Sequence, residues 1–309
     1  MRIVTSGNVC ATFFRMPFLI LVSFIWAVSF GLIKDKLAGL DSTALGAVRI
    51  AFATLVFLPF FRPAKIATSR LLAFAAIGAA QFGCMYVLYM AAFRFLAAYE
   101  VALFTIFTPL WLALLDALAR RRARAGLLFA ALLAVAGTAI ACWQTLPTSR
   151  AHDLLEGFAF VQASNLCFAL GQFFYRRARA ALPTEVSNAS LFAALYIGAL
   201  VVTLLVSAFT TNWARFHPTL SQWGVLAYLG VVASGLSFFW WNIGATRVGV
   251  ATLAVFNNAK IPLGVACSVL IFGEGASYAR LLAGGALLVV AIIIAERGNR
   301  DAKIVLKKL

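Results

Sequence analysis

Long apolar stretches alternate with short charged or turn-rich breaks along almost the whole chain. An α-helix needs about 20 predominantly apolar residues to cross the hydrocarbon core of a membrane. The pattern therefore predicts ten membrane-spanning helices, at residues 17–33, 42–61, 71–93, 97–118, 125–143, 157–175, 186–209, 222–246, 249–272 and 279–295. The breaks between them are too short to hold a separate soluble domain. We expect an all-α integral membrane protein.

The composition agrees with this pattern. Of the 309 residues, 63% are hydrophobic and 12% are charged, whereas an ordinary soluble domain carries about 25% charged residues. The formal net charge of +16 comes from basic residues in short clusters between the apolar stretches, and these clusters form no continuous basic stripe. We therefore expect the lipid bilayer and a small-molecule substrate as partners, and no nucleic acid. The oligomeric state is left open.

The distribution of Lys and Arg predicts the orientation of the chain. With the N-terminus in the cytoplasm, 18 of the 26 Lys and Arg residues fall on the cytoplasmic side and six fall on the outer side. This bias is the one that the positive-inside rule describes. The first apolar stretch lacks a clear small-residue cleavage site, so we expect it to remain as the first helix. Both termini are then cytoplasmic.

Residue types that commonly carry catalysis or bind metals are scattered. The five cysteines lie far apart without a C-x-x-C spacing, and the two histidines, His152 and His217, fall in predicted loops. Such spacing suits neither a metal site nor a disulfide framework. No cluster of His, Cys and carboxylate residues suggests an active site. We expect no metal, no cofactor and no enzymatic activity.

The chain contains an internal repeat. A shift of 153 positions aligns residues 91–110 with residues 244–263 and gives five identities, including one proline in each block. The two blocks fall at the third and fourth helices and at the eighth and ninth, so each repeat has five helices, at residues 17–143 and 157–295. Because five is odd, the second repeat enters the membrane from the opposite side, as in many secondary transporters.

Short motifs follow one another in a recognisable order. They are "WAVSF" (26–30), Arg49, the junctions around Arg94 and Arg247, Pro109, Pro262 and "FGE" (272–274). With these motifs the chain resembles the EamA-type members of the drug/metabolite transporter superfamily, from about residue 17 to residue 295. The resemblance implies a carrier of the bacterial inner membrane, often an exporter of amino acids or other small metabolites, that works by alternating access. Glu274 departs from the repeat, because Arg121 falls at its position in the first half, and its role is left open.

Lys260 lies about eleven residues into the ninth predicted helix, near the bilayer centre. A charge at that depth costs about 2.5–3.5 kcal/mol on insertion, so such residues face the protein interior or a wet cavity. We expect Lys260 to face a central path and to pair with an anionic substrate group, while Asn257 or Asn258 supplies hydrogen bonds. The alternative is structural: the lysine pairs with a buried acid or with backbone carbonyl groups, or is neutral because of desolvation.

The repeat predicts what faces this lysine. The 153-residue shift places Phe107 and Trp111 of the fourth helix at the positions of Lys260 and Gly264 in the ninth. Helical spacing puts each pair on one face of its helix. We therefore expect a midplane cavity with one polar wall and one aromatic wall.

Glu100 and two tyrosines of the third helix are further candidates for substrate contact. Glu100 could hold a substrate ammonium group or carry a proton, or it could be a helix-start acid favoured by the helix dipole. Tyr86 and Tyr89 lie on an aromatic stripe that could also be a packing surface, although their hydroxyl groups need partners when buried.

The remaining candidates lie in the sixth helix and at two positions of the family motifs. Gln162 and Asn165 are costly toward lipid and so point inward, either as interhelical hydrogen bonds or as cavity lining. Trp26 is a candidate on the resemblance, with packing as its alternative. For Arg49, a structural pairing with the backbone or a neighbouring loop is the expectation rather than substrate contact.

The function that these residues favour is secondary transport of a small amphipathic metabolite with a carboxylate group, such as an amino acid or an organic acid. Export is the direction that the resemblance implies. The alternative within the same superfamily is a multidrug or amine efflux carrier that holds a cation with Glu100 and the aromatic residues. Replacing Lys260 by Gln separates the two, since it should abolish anion transport and leave cation efflux largely intact.

Overall fold

A computed structural model describes residues 16–37, 39–96, 98–141, 151–272 and 278–306. These residues form ten helices, which we number α1 to α10, and no β-strand is found among them. The helices are α1 (Pro17–Lys36), α2 (Ser42–Phe60), α3 (Thr68–Ala92), α4 (Ala98–Phe104 and Thr108–Arg120, joined by the 3₁₀ turn Thr105–Phe107), α5 (Ala125–Ala141), α6 (Ala151–Ala180), α7 (Asn188–Thr210), α8 (Leu220–Arg247), α9 (Val250–Phe272) and α10 (Tyr278–Leu306). The predicted fold class, all-α with ten helices, is confirmed.

The apolar pattern located the helices better than it located their ends. The largest differences are in α6, which begins at Ala151 and ends at Ala180, and in α10, which continues to Leu306. Both extensions carry charged residues. A helix can continue beyond the hydrocarbon core without being apolar, so hydropathy marks the embedded part of a helix rather than its full length.

Several helices are apolar enough to cross a membrane individually. Within the described residues, five meet this condition by length and composition: Ser42–Phe60, Thr68–Ala92, His152–Ala180, Asn188–Thr210 and Leu220–Arg247. Shorter apolar helices occur at Pro17–Ser29, Ala125–Ile140 and Leu282–Ala295. The chain is a multi-pass membrane protein.

The two halves pack through one another in the same pattern. The first helix of each half contacts the third and fourth helices of the other half: α1 lies against α8 and α9, and α6 lies against α3 and α4. The second helices pair as α2 with α7, and the fifth helices pair as α5 with α10. Any space at the centre of the bundle is therefore walled by both halves.

Two glycines allow α3 and α7 to approach closely. A Cβ atom at Gly78 would collide with the backbone carbonyl of Leu195, and one at Gly198 would collide with the backbone carbonyl of Ala75. Small residues allow such backbone contact in membranes, where helices pack by van der Waals contact rather than by the hydrophobic effect.

A proline interrupts α4 near its middle. Pro109 has no backbone N–H group, so it cannot donate to the carbonyl of Thr105, four residues earlier. The 3₁₀ turn begins at that residue, and the hydroxyl of Thr108 donates to the Thr105 carbonyl oxygen at 2.7 Å. Pro262, at the matched position in α9, lies inside an uninterrupted helix.

Alanine at Gly78 should lower the free energy of unfolding by about 1–3 kcal/mol, because a backbone carbonyl cannot move aside as a side chain can. The measurement is unfolding of the purified protein in detergent micelles. Gly224 of α8 is the matched control, since no atom lies within 4 Å of a Cβ built there. Alanine at Gly224 should be neutral or raise stability by up to about 1 kcal/mol, and an equal loss at both positions would contradict the close contact.

Candidate functional site

A cavity at the centre of the bundle is lined by both halves of the chain. It encloses about 750 Å³ of space outside protein atoms, including its open mouth. The lining residues are Trp26 and Ser29 of α1, Arg49 of α2, Met85, Tyr86 and Tyr89 of α3, Thr105 and Thr108 of α4, Ser164, Asn165 and Phe168 of α6, Phe238 of α8 and Lys260 of α9.

Three aromatic residues from three helices form one wall of the cavity. The ring centroids of Trp26 and Phe238 are 5.1 Å apart, those of Trp26 and Phe168 are 6.4 Å apart, and those of Phe168 and Phe238 are 5.9 Å apart. The indole N–H of Trp26 donates to the carbonyl of Ala233 at 2.8 Å. These mutual contacts hold the rings in place as a preformed apolar surface.

Lys260 lies against this aromatic wall. Its Nζ atom is 5.1 Å from the centroid of the Trp26 ring and 5.6 Å from that of Phe168. Both distances are within the range of a cation–π interaction. Within the described parts of the chain, no carboxylate oxygen lies within 4 Å of Nζ. The predicted position of Lys260 on a central path agrees with this geometry, and the alternative of a partnering buried acid does not.

Arg49 is a second cation of the cavity wall. Its Nε atom donates to the hydroxyl of Ser234 at 3.3 Å, and its guanidinium carbon lies 5.0 Å from the centroid of the Tyr86 ring. The Tyr86 and Ser234 hydroxyl groups share a hydrogen bond of 2.9 Å. As with Lys260, no acidic side chain of the described residues is within 4 Å. Arg49 is therefore paired with a side-chain hydroxyl of α8 and not, as expected, with the backbone or a loop, and its positive charge lies beside the cavity.

A π-helical segment of α8, Leu229–Leu236, anchors these side chains. Such segments shift the backbone hydrogen-bond pattern and are frequent at functional sites. The carbonyl of Ala233 accepts from Trp26, and the carbonyl of Ser234 accepts from the Tyr196 hydroxyl at 2.8 Å. α3 carries its own π-helical segment, Ala79–Cys84, at the corresponding place in the first half. Neither segment follows from the periodicity of the sequence.

The repeat predicted that α4 supplies the aromatic wall, but the wall comes from α1, α6 and α8. α4 contributes Thr105 and Thr108, while the Phe107 ring packs on Phe158 at 5.7 Å and the Trp111 indole is directed to α6. The cause is the 3₁₀ turn, which advances about 120° per residue instead of about 100°. Three residues in this form rotate the rest of α4 by about 60° from the face that uniform helical spacing assigns.

The amides of α6 divide between packing and the cavity. The Gln162 side chain accepts from Trp111 Nε1 at 3.1 Å and donates to the carbonyl of Phe104 at 3.0 Å, and it is not among the lining residues. Asn165 lines the cavity and also donates to the Phe104 carbonyl at 3.0 Å. Both therefore point inward, as expected from the cost of exposing an amide to lipid.

The two asparagines of α9 are fully buried and lie outside the cavity lining. Asn257 exchanges two hydrogen bonds with the amide of Gln172, at 3.1 and 3.2 Å. Asn258 donates to the carbonyl of Ile106 at 2.8 Å, and its Oδ1 atom has no partner among the described residues. Both contacts join α9 to neighbouring helices. Substrate contact by either asparagine stays a prediction.

A second reciprocal amide pair joins the two halves. Gln81 of α3 and Asn242 of α8 exchange hydrogen bonds of 2.9 and 3.1 Å, and both are fully buried. Each member of the two pairs is about one helical turn from a lining residue. Because successive helices alternate in direction, all four amides fall on the same side of the cavity. We call Gln81, Asn242, Gln172 and Asn257 the amide layer.

The remaining candidates are placed as follows. Trp26, Tyr86 and Tyr89 line the cavity. Glu100 is fully buried in the first turn of α4 and is not a lining residue. Glu274 and the side chains of residues 264–272 lie outside the described residues.

Several lining residues were not among the predicted candidates, although three of them had a recognisable signal. Phe168 lies one turn after Asn165 on α6, Ser29 lies one turn after Trp26 on α1, and Thr108 lies on the same predicted face of α4 as Phe107 and Trp111. Met85, Thr105, Ser164 and Phe238 had no comparable signal.

Comparison with known proteins decides the family. Residues 14–143 and 155–296 each match the model of the EamA-like transporter family. The chain belongs to the EamA-like transporter family. The resemblance inferred from the ordered motifs is confirmed, and this EamA-like transporter has relatives along almost its whole length.

The alignments with three bacterial relatives each cover more than nine tenths of the relative's length. A probable biotin transporter of Pseudomonas aeruginosa is 37% identical over 289 residues, which are 93% of this chain and 100% of the relative. The biotin transporter of Escherichia coli K12 is 36% identical over 284 residues, 91% of this chain and 93% of the relative. That of Salmonella typhimurium is 36% identical over 279 residues, 90% and 91% of the two chains.

A solved crystal structure shares the fold. It superposes with a TM-score of 0.74 at 19% sequence identity and covers 91% of this EamA-like transporter and 96% of the solved chain. At that identity the likeness shows the architecture alone.

The amide pair of Gln81 and Asn242 should show energetic coupling. Replacing Gln81 by Met leaves the Asn242 amide without its partner, and replacing Asn242 by Leu does the converse. The double variant should lose less stability than the sum of the single variants, with a coupling of about 0.6–2 kcal/mol. Unfolding in detergent micelles measures the cycle. A second cycle that combines Gln81→Met with Gln222→Met, at the far end of α8, is the control, and its two stability losses should add. Additive losses in the Gln81–Asn242 cycle would contradict the pairing.

Proposed function

We propose that the protein carries biotin across the bacterial inner membrane, by alternating access between its two halves. The observation that carries this proposal is a cavity with two cations, Lys260 and Arg49, and no carboxylate among its described lining residues. Charges buried without counter-charges favour an anionic ligand. The names of the relatives, biotin transporters, then select one anion.

Biotin has chemical groups that match this lining. Its carboxylate ends a flexible alkyl chain, its fused rings offer an apolar face, and its urea group both donates and accepts hydrogen bonds. The face of the rings suits the wall of Trp26, Phe168 and Phe238. The Ser164 hydroxyl and the Asn165 NH₂ group already donate to the carbonyls of Met85 and Phe104, so their oxygen atoms are left as acceptors for the N–H groups of the urea.

Lys260 is the better candidate for the carboxylate. Arg49 already donates to Ser234 and lies on the Tyr86 ring, whereas Lys260 is held by ring faces. An ammonium group on an aromatic face keeps its N–H donors available for an oxygen ligand. In this proposal Arg49 adds positive potential and positions Tyr86.

The other substrate classes fit this cavity less well. An amino acid brings an ammonium group, for which the described lining offers no carboxylate. An amine or a cationic drug would be repelled by both Lys260 and Arg49, since like charges repel strongly where the dielectric constant is low. Cytoplasmic termini, favoured by the Lys and Arg bias, remain part of the proposal. Export stays a prediction. Comparing uptake by right-side-out vesicles with uptake by inside-out vesicles distinguishes export from import.

Counterflow in proteoliposomes tests the transport activity. Vesicles loaded with unlabelled biotin should accumulate labelled biotin from outside, which a passive channel would not do. Biotin methyl ester, which lacks the negative charge, should compete poorly. Accumulation of a labelled amine, together with no accumulation of biotin, would contradict the proposal in favour of amine efflux.

Lys260→Gln should raise the KM for biotin about tenfold to a hundredfold, because it removes a hydrogen bond between charged groups worth about 1.5–3 kcal/mol. Lys260→Arg, which keeps the charge, should retain more transport. Arg215→Gln is the matched control, since Arg215 is an exposed cation of a short 3₁₀ turn outside the cavity. An unchanged KM in Lys260→Gln would rule out the proposed carboxylate contact.

A further inference from the structure

A second cavity lies at one end of the bundle, where α6 and α8 end and α7 begins. It encloses about 720 Å³ of space outside protein atoms, including its open side. The Lys and Arg bias places this end in the cytoplasm. Tyr175 and Arg179 of α6, Asn188 of α7, and Thr246 and Arg247 of α8 are among its lining residues. None of them takes part in the transport site proposed above.

Tyr175 presents a buried donor without a partner. The residue is fully buried, and its ring packs against Phe74 and Phe192, with centroid distances of 6.0 and 5.7 Å. Its hydroxyl group has no hydrogen-bond partner among the described residues. An unmade hydrogen bond of this kind is costly, and Tyr175 lines the cavity. A ligand with an acceptor oxygen would remove the cost.

Two arginines line the same cavity as Tyr175. Arg179 is one helical turn after Tyr175 on the same face of α6, and its Nε atom donates to Asn188 Oδ1 at 2.7 Å. Arg247 lies across the cavity on α8, with its guanidinium carbon 4.8 Å from the centroid of the Phe18 ring. In the described part of the chain, neither arginine has a carboxylate within 4 Å.

The start of α7 adds to the positive potential. Ser187 occupies the N-cap position but makes no side-chain hydrogen bond to the helix, so side-chain capping does not satisfy the first-turn N–H groups there. The N-terminus of a helix carries partial positive charge and favours anions. Asn188, the first residue of α7, lines the cavity.

We propose that this cavity binds a phosphate group, supplied by an anionic phospholipid headgroup or by free phosphate. The Tyr175 hydroxyl donates to one phosphate oxygen, and Arg247 supplies a charged donor from the other side. Basic pockets between membrane helices at the cytoplasmic surface are suited to such headgroups. The proposal is independent of the identity of the transported substrate.

One nearby acid opposes an anion at this site. Glu185 is exposed in the α6–α7 connection. Hydrogen bonds from its own backbone N–H group and from the Thr184 hydroxyl lower the pKa of its carboxyl group, so it is ionised at neutral pH. Glu185→Gln should therefore strengthen phosphate binding.

The test measures thermal unfolding of the full-length protein in detergent with three probes: dioleoyl phosphatidylglycerol, dioleoylglycerol, and inorganic phosphate against chloride. Phosphatidylglycerol should raise the Tm, while dioleoylglycerol, with the same acyl chains and no phosphate, should not. A shift with inorganic phosphate assigns the site to a free anion, and a shift with phosphatidylglycerol alone assigns it to a lipid.

Tyr175→Phe is the decisive variant, because it keeps both ring contacts and removes only the hydroxyl group. The free variant should be as stable as the wild type or more stable, since the lost group had no partner. Its apparent affinity for the stabilising probe should fall about tenfold, as expected for one hydrogen bond to a charged group. Arg247→Gln should also weaken binding, whereas Arg215→Gln, which removes the same charge elsewhere, should not.

Three results would overturn the proposal. The first is that neither phosphatidylglycerol nor inorganic phosphate raises the Tm. The second is an equal shift with dioleoylglycerol, and the third is a wild-type shift in both Tyr175→Phe and Arg247→Gln. Each result is independent of biotin counterflow, so failure here leaves the transport proposal unaffected.

Discussion

The hydrocarbon core of a membrane contains no water, so a polar side chain on these helices must find a partner inside the protein or lie beside a wet cavity. Most of the buried amides follow the first course. Gln81 with Asn242 and Gln172 with Asn257 satisfy each other across helix interfaces. Lys260, on the aromatic wall of the cavity, follows the second.

The same constraint explains why several helices form hydrogen bonds to the π-helical segment of α8. A π-helical segment shifts backbone hydrogen bonding in a region without water, and side chains of other helices bond to its carbonyl groups. Trp26 of α1 and Tyr196 of α7 donate to these carbonyls, and Arg49 of α2 donates to the hydroxyl of Ser234. With the hydrogen bond between the Tyr86 and Ser234 hydroxyl groups, the segment joins four helices through polar contacts and orients three of the side chains that line the cavity, Trp26, Arg49 and Tyr86.

Helices of each half pack against helices of the other half, and this arrangement matters for transport. Because α1 packs on α8 and α9, and α6 on α3 and α4, residues of both halves line the cavity. Relative movement of the halves would change access to the cavity and leave the helices themselves intact. The amide layer lies on one side of the cavity, and the packed rings of Phe104, Phe107 and Phe158 involve the same α4 and α6 that line it. Hydrogen-bonded amides are directional, whereas ring packing tolerates sliding, so the two contacts would respond differently to such movement.

The sequence by itself determined the number of helices and the family. Each of these follows from hydropathy, helical length or the order of motifs, which are local properties of the chain. It also named Trp26, Tyr86, Tyr89 and Asn165 as candidate lining residues, each with a packing role as the alternative, and all four lie at the cavity in the structure.

The tertiary structure alone decided which polar groups are used up by partners and which remain at the cavity. Asn257 looked as available as Lys260, but Gln172, 85 residues earlier, takes its hydrogen bonds. Phe107 looked inward under uniform helical spacing, but the 3₁₀ turn before Pro109 rotates α4 and brings Thr105 and Thr108 inward instead. Arg49 is held beside the cavity by its acceptor, Ser234, which is 185 residues away in the chain. A partner distant in the chain, and a local change of helical twist, leave no trace in the periodicity of hydrophobic residues.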